Sequence, residues 1–285
     1  GWDFLGQTAG FDIGERLIAY ESSDSYARAL AVGVLNTLRV ALLGIVGCTL
    51  LGALIGVGRF SPNLLLRGLC RGYVELFRNV PLLVQLLVWY LLLVEALPDE
   101  VRHGPAGLLL GKAGLVLPWL VHDAALGWHW SRPVLDGFAI EGGLLLSPEF
   151  VALLLGLVCY TAAYVAEVVR AGIAAVPRGQ IEAAESLGLS RWQTLRLVSA
   201  PLALRVIVPP LANQYLNLSK NSSLAVAVGY PDLVSIANTT LNQTGRAVEC
   251  IALLMLVYLA LSLLTAALMH QFNRRVALRG QHAAA

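Results

Sequence analysis

The chain has 285 residues, 57% of them hydrophobic and 13% charged, with a formal net charge of +2 and a mean hydropathy of +0.70. Soluble domains carry about 25% charged residues, so this is a membrane composition. So small a charge, with no dense basic block, argues against a nucleic-acid partner, and the scattered Cys48, Cys70, Cys159 and Cys250 suit neither a disulfide framework nor a zinc site.

Residues 1–29 are polar and lack the basic start and apolar core of a signal peptide. They open on Gly1, which leaves room for a further span upstream. A spanning helix needs about 20 mostly apolar residues, and five candidates follow. The first runs from Leu30 to Gly58. Its Arg39 reads equally as pore-facing or paired. The second runs from Val80 to Leu97 and contains Gln85. Residues 98–147 form a long connection. Within it "GPAGLLLGKAGLVLPWL" is apolar but interrupted by Lys112, Pro118 and glycines, and reads as a loop or interfacial structure. In "HDAALGWHW", His122 and His129 beside Asp123 lack a third ligand at sensible spacing, so they read as loop polarity and no metal site is expected.

The third span covers Phe150 to Ile173. Tyr160, Tyr164 and Glu167 fall on one face at i, i+4 and i+7. The fourth, Pro201 to about Ser219, is interrupted by Arg205, Pro209, Pro210, Asn213, Gln214 and Asn217. Asn213, Asn217 and Lys220 repeat the same spacing. "SKNSSL", which holds Asn221 and Ser222, is expected to break the helix into a polar turn. The fifth covers Val248 to about His270, and residues 276–285 are the tail.

Between the third and fourth spans lies "IEAAESLGLSRWQTLRLVSAP", residues 181 to 201. Pro177 can open a helix at its first turn. "GQIEAAESL" is helix-prone, with Glu182 and Glu185 early. Gly188 suits a left-handed cap. Ser190 and Gln193 make a capping box for a second helix, and Pro201 opens the next span. The stretch therefore reads as a helix–turn–helix. Ala183 and Ala184 would admit another backbone, ringed by Glu182, Arg191 and Arg196. Physics alone leaves a partner's groove and the lipid headgroups both open as its resting place.

Basic residues cluster after the first span (Arg59, Arg67, Arg71, Arg78), after the third (Arg178, Arg191, Arg196) and in the tail (Arg274, Arg275, Arg279). Positive residues stay inside. Residues 1–29 and 98–147 are thus expected outside, and residues 176–200 and the C-terminus in the cytoplasm. No GxxxxGK[ST] loop is present, so this chain is not expected to bind ATP.

The spacing in the cytoplasmic stretch resembles the signature of ABC-importer permeases: E-A-A, three residues, G, nine residues, I-x-L-P. Glu182-Ala183-Ala184, Gly188 and Val198-Ser199-Ala200-Pro201 stand in that register, with Val198 for Ile and Ala200 for Leu. "YVELFRNVPLLVQLLVWY", "YTAAYVAEVVRAGIAAVPRGQIEAA" and "LNLSKNSSLAVAVGYPDL" resemble the polar amino-acid uptake branch, most like a general L-amino acid permease. The resemblance implies an all-α type I importer fold, with residues 30–275 as the transmembrane domain. It also implies a location in the bacterial inner membrane and a second permease, similar or identical. Two ATP-binding subunits would carry ATP and Mg, and a periplasmic amino-acid-binding protein would deliver substrate. Glu182, Ala183, Ala184, Glu185, Gly188 and Arg191 would then couple to the ATPase.

Polar groups inside spans usually face a protein interior or a watery cavity. The candidate substrate path is therefore Gln85, Tyr160, Tyr164, Glu167, Asn213, Asn217, Lys220, Asn221 and Ser222, with Lys220 or amides for a carboxylate and Glu167 for an ammonium. Structural readings stand beside these. Glu167 could pair with Arg170 or another Arg, the asparagines could bond between helices, and Lys220 could snorkel. The alternative function is an ion-coupled secondary transporter, although no inverted repeat is evident. An intramembrane enzyme would need a catalytic pair in the spans, and none is visible.

Overall fold

The structure is a computed structural model and describes residues 1–281 except 105–106, 124–126 and 137–138. The chain packs as two units. One comprises Gly1–Val40, Leu83–Gly156 and Leu224–Gly245. The other comprises Ala41–Leu82, Leu157–Ser223 and the chain from Arg246 onward.

In the first unit the N-terminal arm lies along the opening turns of α1 (Tyr26–Gly58). The Asn36 amide donates to the carbonyls of Glu15 at 2.8 Å and Pro231 at 2.9 Å. Thr37 Oγ1 accepts from the backbone N–H of Leu233 at 3.1 Å, the first residue of α8 (Leu233–Thr244). Arg39 is paired: its guanidinium bonds Glu15 at 2.5 Å, with 10% and 7% of the two side chains exposed. It also stacks 4.0 Å over the Phe150 ring. Ser147 donates to the second Glu15 oxygen. A buried charge needs such a partner, so the sequence's two options for Arg39 resolve to the ion pair.

The predicted span from Leu30 to Gly58 lies within α1, which has spanning length and composition from Tyr26 to Gly58. The run of large exposed apolar residues on it begins at Leu42 and continues through Leu43, Val46, Leu50, Leu54 and Val57, beyond the turns that the arm covers.

The long insert, which the sequence reads as a loop or interfacial structure, contains β structure. β1 (Arg102–His103), β2 (Leu109–Gly111), β3 (Gly114–Leu117) and β8 (Leu144–Leu146) form an antiparallel sheet in the order β1-β2-β3-β8. β4 (Trp119–Asp123) pairs with β5 (Gly127–Ser131), and β6 (Val134–Asp136) with β7 (Ala139–Glu141), as separate ribbons. The glycines that discourage a helix are what the β2–β3 hairpin uses. Gly114 has φ +123°, and a Cβ there would lie 2.3 Å from the Leu146 carbonyl oxygen.

The second unit is built on a glycine seam. Along α1, a Cβ at Gly47 would lie 2.8 Å from Val158 Cγ2. At Gly52 it would lie 2.6 Å from Val165 Cβ, and at Gly56 2.8 Å from the Ala166 carbonyl oxygen. These neighbours all belong to α4 (Pro148–Ala174). Without a hydrophobic driving force between helices in lipid, small residues that allow close approach supply the packing. Thr49 and Tyr215 bond hydroxyl to hydroxyl at 2.7 Å, tying in α7 (Ala200–Asn221). α9 (Ala247–Gln281) packs along α7.

Three further expectations change in detail. Residues 64–79, read as a basic connection, form an amphipathic helix, α2 (Leu64–Asn79), capped by the Asn63 side chain. α3 (Leu82–Ala96) has 15 residues, about 22 Å, too short to cross alone. Among the described residues four helices have spanning length and composition, and there is a fifth span if α2 and α3 count together as one broken element. Pro81 sets the break, because it lacks an N–H and crowds the residue before it. "SKNSSL" also does not form a polar turn. α7 runs through Asn221 and tightens into a 3-10 turn over Ser222–Val228. Of the predicted tail, residues 282–285 lie outside the described residues, and so does His282.

Gly52→Leu is expected to lower stability in detergent by about 1–3 kcal/mol through overpacking, read as a lower thermal midpoint. Leu54→Phe, on the exposed side of α1, is expected to leave the midpoint unchanged.

Candidate functional site

The predicted helix–turn–helix is present. α5 (Arg178–Ser186) starts after Pro177, which caps it from one position outside rather than sitting in its first turn. Gly188 has φ +79°, and its N–H bonds the Glu185 carbonyl at 2.9 Å. That left-handed turn carries no strain in glycine alone. The Ser190 side chain accepts from the Gln193 N–H, and the Gln193 side chain accepts from the Ser190 N–H at 2.8 Å. This is a closed capping box.

Beyond the box the structure departs from the sequence reading. α6 (Arg191–Thr194) does not end before Pro201. It passes through a π-helical turn at Leu195–Ser199 straight into α7. Pro201 follows the π-helical turn and supplies no N–H to the turn before it. One helical rod runs from Arg191 to Asn221.

On the surface of this element Glu182, Ala183, Glu185, Gly188 and Arg191 are exposed. Ala184 is not: it is 4% exposed and turned into its own chain. Of the expected pair of small residues, only Ala183 can meet another backbone. Sequence reasoning missed the apolar part of the surface. Leu187 is 84% exposed, Trp192 67% and Leu197 61%. The available signal was Trp192 itself, a large apolar ring among polar residues.

Deeper in the same unit, Tyr160, Thr161, Tyr164, Gln214, Asn217 and Asn221 line a cavity of about 190 Å³. The Tyr160 and Tyr164 hydroxyls are 3.1 Å apart, and the Arg78 guanidinium lies 5.2 Å from the Tyr164 ring centroid. The lining offers hydroxyls and amides without a formal charge. Pockets for drug-sized ligands run to about 300–1,000 Å³, so this volume suits a small polar solute.

The other predicted path residues fall elsewhere. Glu167, one turn from Tyr164, bonds Arg59 and also holds Arg170 through Nε at 2.9 Å. It is occupied by two arginines and does not line the cavity. Lys220 lines a separate space of about 430 Å³ with Ser223, Tyr258, Leu259 and Ser262. Ser222 is buried and donates to the Ser219 carbonyl at 2.8 Å. Asn213 is exposed and lines neither space. Gln85 is buried in the first unit. His122 and Asp123 have their backbone in β4, and their side chains lie outside the described residues.

Residues 48–278 match the family described as the binding-protein-dependent transport system inner membrane component. The chain belongs to that family. It is similar to the general L-amino acid transport system permease protein AapQ of Rhizobium johnstonii, with 41% identity over 98% of this chain and 84% of that protein. Identity is 42% to the putative amino-acid ABC transporter permease protein YhdX of Escherichia coli K12, over 98% of this chain and 86% of that one. Among solved structures, the permease resembles one described as an amino acid ABC transporter with histidines. Its TM-score is 0.64 at 27% identity, covering 88% of this chain and 95% of that one. The inward-facing MetNI methionine transporter, at 19% identity and TM-score 0.57 over 88% and 97%, shares the fold. The chain is thus a transport subunit with a type I importer fold, and the permease reading prevails over the ion-coupled alternative.

Trp192→Ala is expected to weaken retention of a docked ATPase subunit by about 2 kcal/mol, the scale of an aromatic hot spot. That is roughly thirtyfold in affinity, measured by titration in detergent. Gly188→Ala is expected to do the same more weakly by straining the turn.

Proposed function

We propose that this permease forms half of the pathway of an ATP-driven amino-acid importer in the bacterial inner membrane, with its C-terminus in the cytoplasm. Its partners are a second permease, similar or identical, two ATP-binding subunits that hold ATP and Mg, and an extracytoplasmic amino-acid-binding protein. The chain itself holds no cofactor and hydrolyses nothing. Glu182, Ala183, Glu185, Arg191 and Trp192 form the docking face for an ATP-binding subunit, with Gly188 and Ala184 shaping it. The amino acid passes the cavity of Tyr160, Tyr164, Asn217 and Asn221, where amides and hydroxyls meet its carboxylate and ammonium groups. Glu167 acts as a latch with Arg59 and Arg170.

One observation carries this reading: the helical rod from Arg191 to Asn221 bears Arg191 and Trp192 at one end and Asn217 of the cavity toward the other. Closure of the ATP-binding subunits would tilt that rod as a rigid body, the ordinary currency of such switches. The names of the similar proteins support amino acids as the solute class.

The test is uptake of labelled amino acids into proteoliposomes that hold the chain with its co-purifying subunits and binding protein. Uptake is expected only with ATP on the ATPase side, and an ion gradient alone is expected to give none. Asn217→Leu should cut uptake about tenfold, equivalent to about 1.4 kcal/mol of lost polar contact, with the ATPase subunits still bound. Uptake driven equally by an ion gradient would overturn the reading.

A further inference from the structure

The insert between α3 and α4 contains two kinds of β structure. In the four-stranded sheet the apolar residues alternate as they do on a packed sheet: Leu109 is 1% exposed and Val116 3%. The ribbons behave differently. Trp119 is 51% exposed and its neighbour Leu120 is 44%. Adjacent strand residues point to opposite faces, so each face of the β4–β5 ribbon carries a large exposed apolar side chain at this end. Trp130, 68% exposed, stands opposite Leu120 in the register and shares its face. On β6, Val134 and Leu135 are 60% and 40% exposed, again one on each face. From Ala113 to Leu135 only Asp123 and Arg132 carry charge.

A ribbon in water keeps one face polar, and a docked protein covers one face. A ribbon end with large apolar side chains on both faces needs surroundings that enclose it. The bilayer is the medium at hand. Lys112 of the insert donates to the Val94 carbonyl of α3 at 3.2 Å, and Leu91 and Leu92, one turn earlier on that helix, are 65% and 57% exposed. The insert thus abuts an exposed apolar helix end of the same unit. Two further facts set its depth. Among the described residues each strand of these ribbons pairs with one other strand, and a two-stranded edge of backbone polar groups does not enter hydrocarbon. Trp is the residue that favours the headgroup level, where the ring is sheltered and its N–H stays hydrated.

We infer that the β4–β5 ribbon, with Val134 and Leu135, is an interfacial anchor that rests in the phospholipid headgroup layer of the leaflet on its own side and fixes the insert against the membrane.

The test places a nitroxide at Trp130→Cys, and separately at Trp119→Cys, in a chain whose four native cysteines are replaced. Each chain is assembled with its co-purifying subunits in nanodiscs of phosphatidylethanolamine and phosphatidylglycerol. At both positions the ratio of collision with lipid-soluble oxygen to collision with a water-soluble nickel chelate is expected to exceed that of a fully water-exposed label, and to correspond to headgroup depth. A second measurement keeps the native cysteines. Phosphatidylcholine brominated on its acyl chains is expected to quench intrinsic fluorescence less in Trp119→Phe/Trp130→Phe than in the unaltered chain. Labels dominated by the nickel chelate, together with equal quenching in the two chains, would overturn the anchor. So would labels that are water-exposed until the extracytoplasmic binding protein is added, which would make the ribbon a protein-docking surface instead.

Discussion

The account rests on a continuous helical rod between Arg191 and Asn221, whose backbone hydrogen bonds lapse at its prolines. A helix transmits displacement because most residues are bonded to the next turn, and thirty residues of it span roughly 45 Å. The π-helical turn at Leu195–Ser199 and the Pro209–Pro210 pair are the soft places in that line. π-helical turns occur often at functional positions. Either side of this one the rod is held: Ser190 and Gln193 close its start, and the Thr49–Tyr215 hydroxyl pair fixes its middle. A push on Trp192 then has little else to move.

The surrounding structure supplies stiffness in a solvent that offers no hydrophobic drive between helices. In the second unit the glycines of α1 let α4 approach to backbone contact. In the first unit the Arg39–Glu15 pair, with Ser147 and Phe150 around it, pins the arm to the start of α1. Removing one member of such a buried pair leaves the other uncompensated, typically at about 3–5 kcal/mol. The pair therefore marks where the arm must be for the chain to be folded at all.

Much of this was legible in the sequence, because spans, caps and turns are local physics. Apolar runs gave the membrane helices to within a few residues at most ends. Gly188, Ser190 and Gln193 announced a turn and a cap, and the structure holds both. What was not legible depended on neighbours far along the chain. Periodicity put Tyr160, Tyr164 and Glu167 on one face, but Arg59, more than a hundred residues earlier, engages Glu167. The same periodicity joined Asn217 to Lys220, and packing against α9 divided them. Ala183 and Ala184 are identical in sequence, yet only one is exposed. The β structure of the insert was hidden because glycine-broken apolar runs look alike in loops and in short strands. The arm's cover over α1 was hidden because the helix is apolar on both sides of Arg39.

The most direct measurement introduces a hinge into the rod. Val198→Gly with Ser199→Gly weakens helix propensity by about 1 kcal/mol at each position relative to alanine, and by about half that relative to the native residues, and touches neither the docking surface nor the cavity. ATP hydrolysis and amino-acid uptake are measured together on the reconstituted complex, with Val198→Ala/Ser199→Ala as the stiff control. The account predicts that the glycine pair keeps hydrolysis but loses uptake per ATP, while the alanine pair keeps both. Unchanged uptake per ATP in the glycine variant would contradict it.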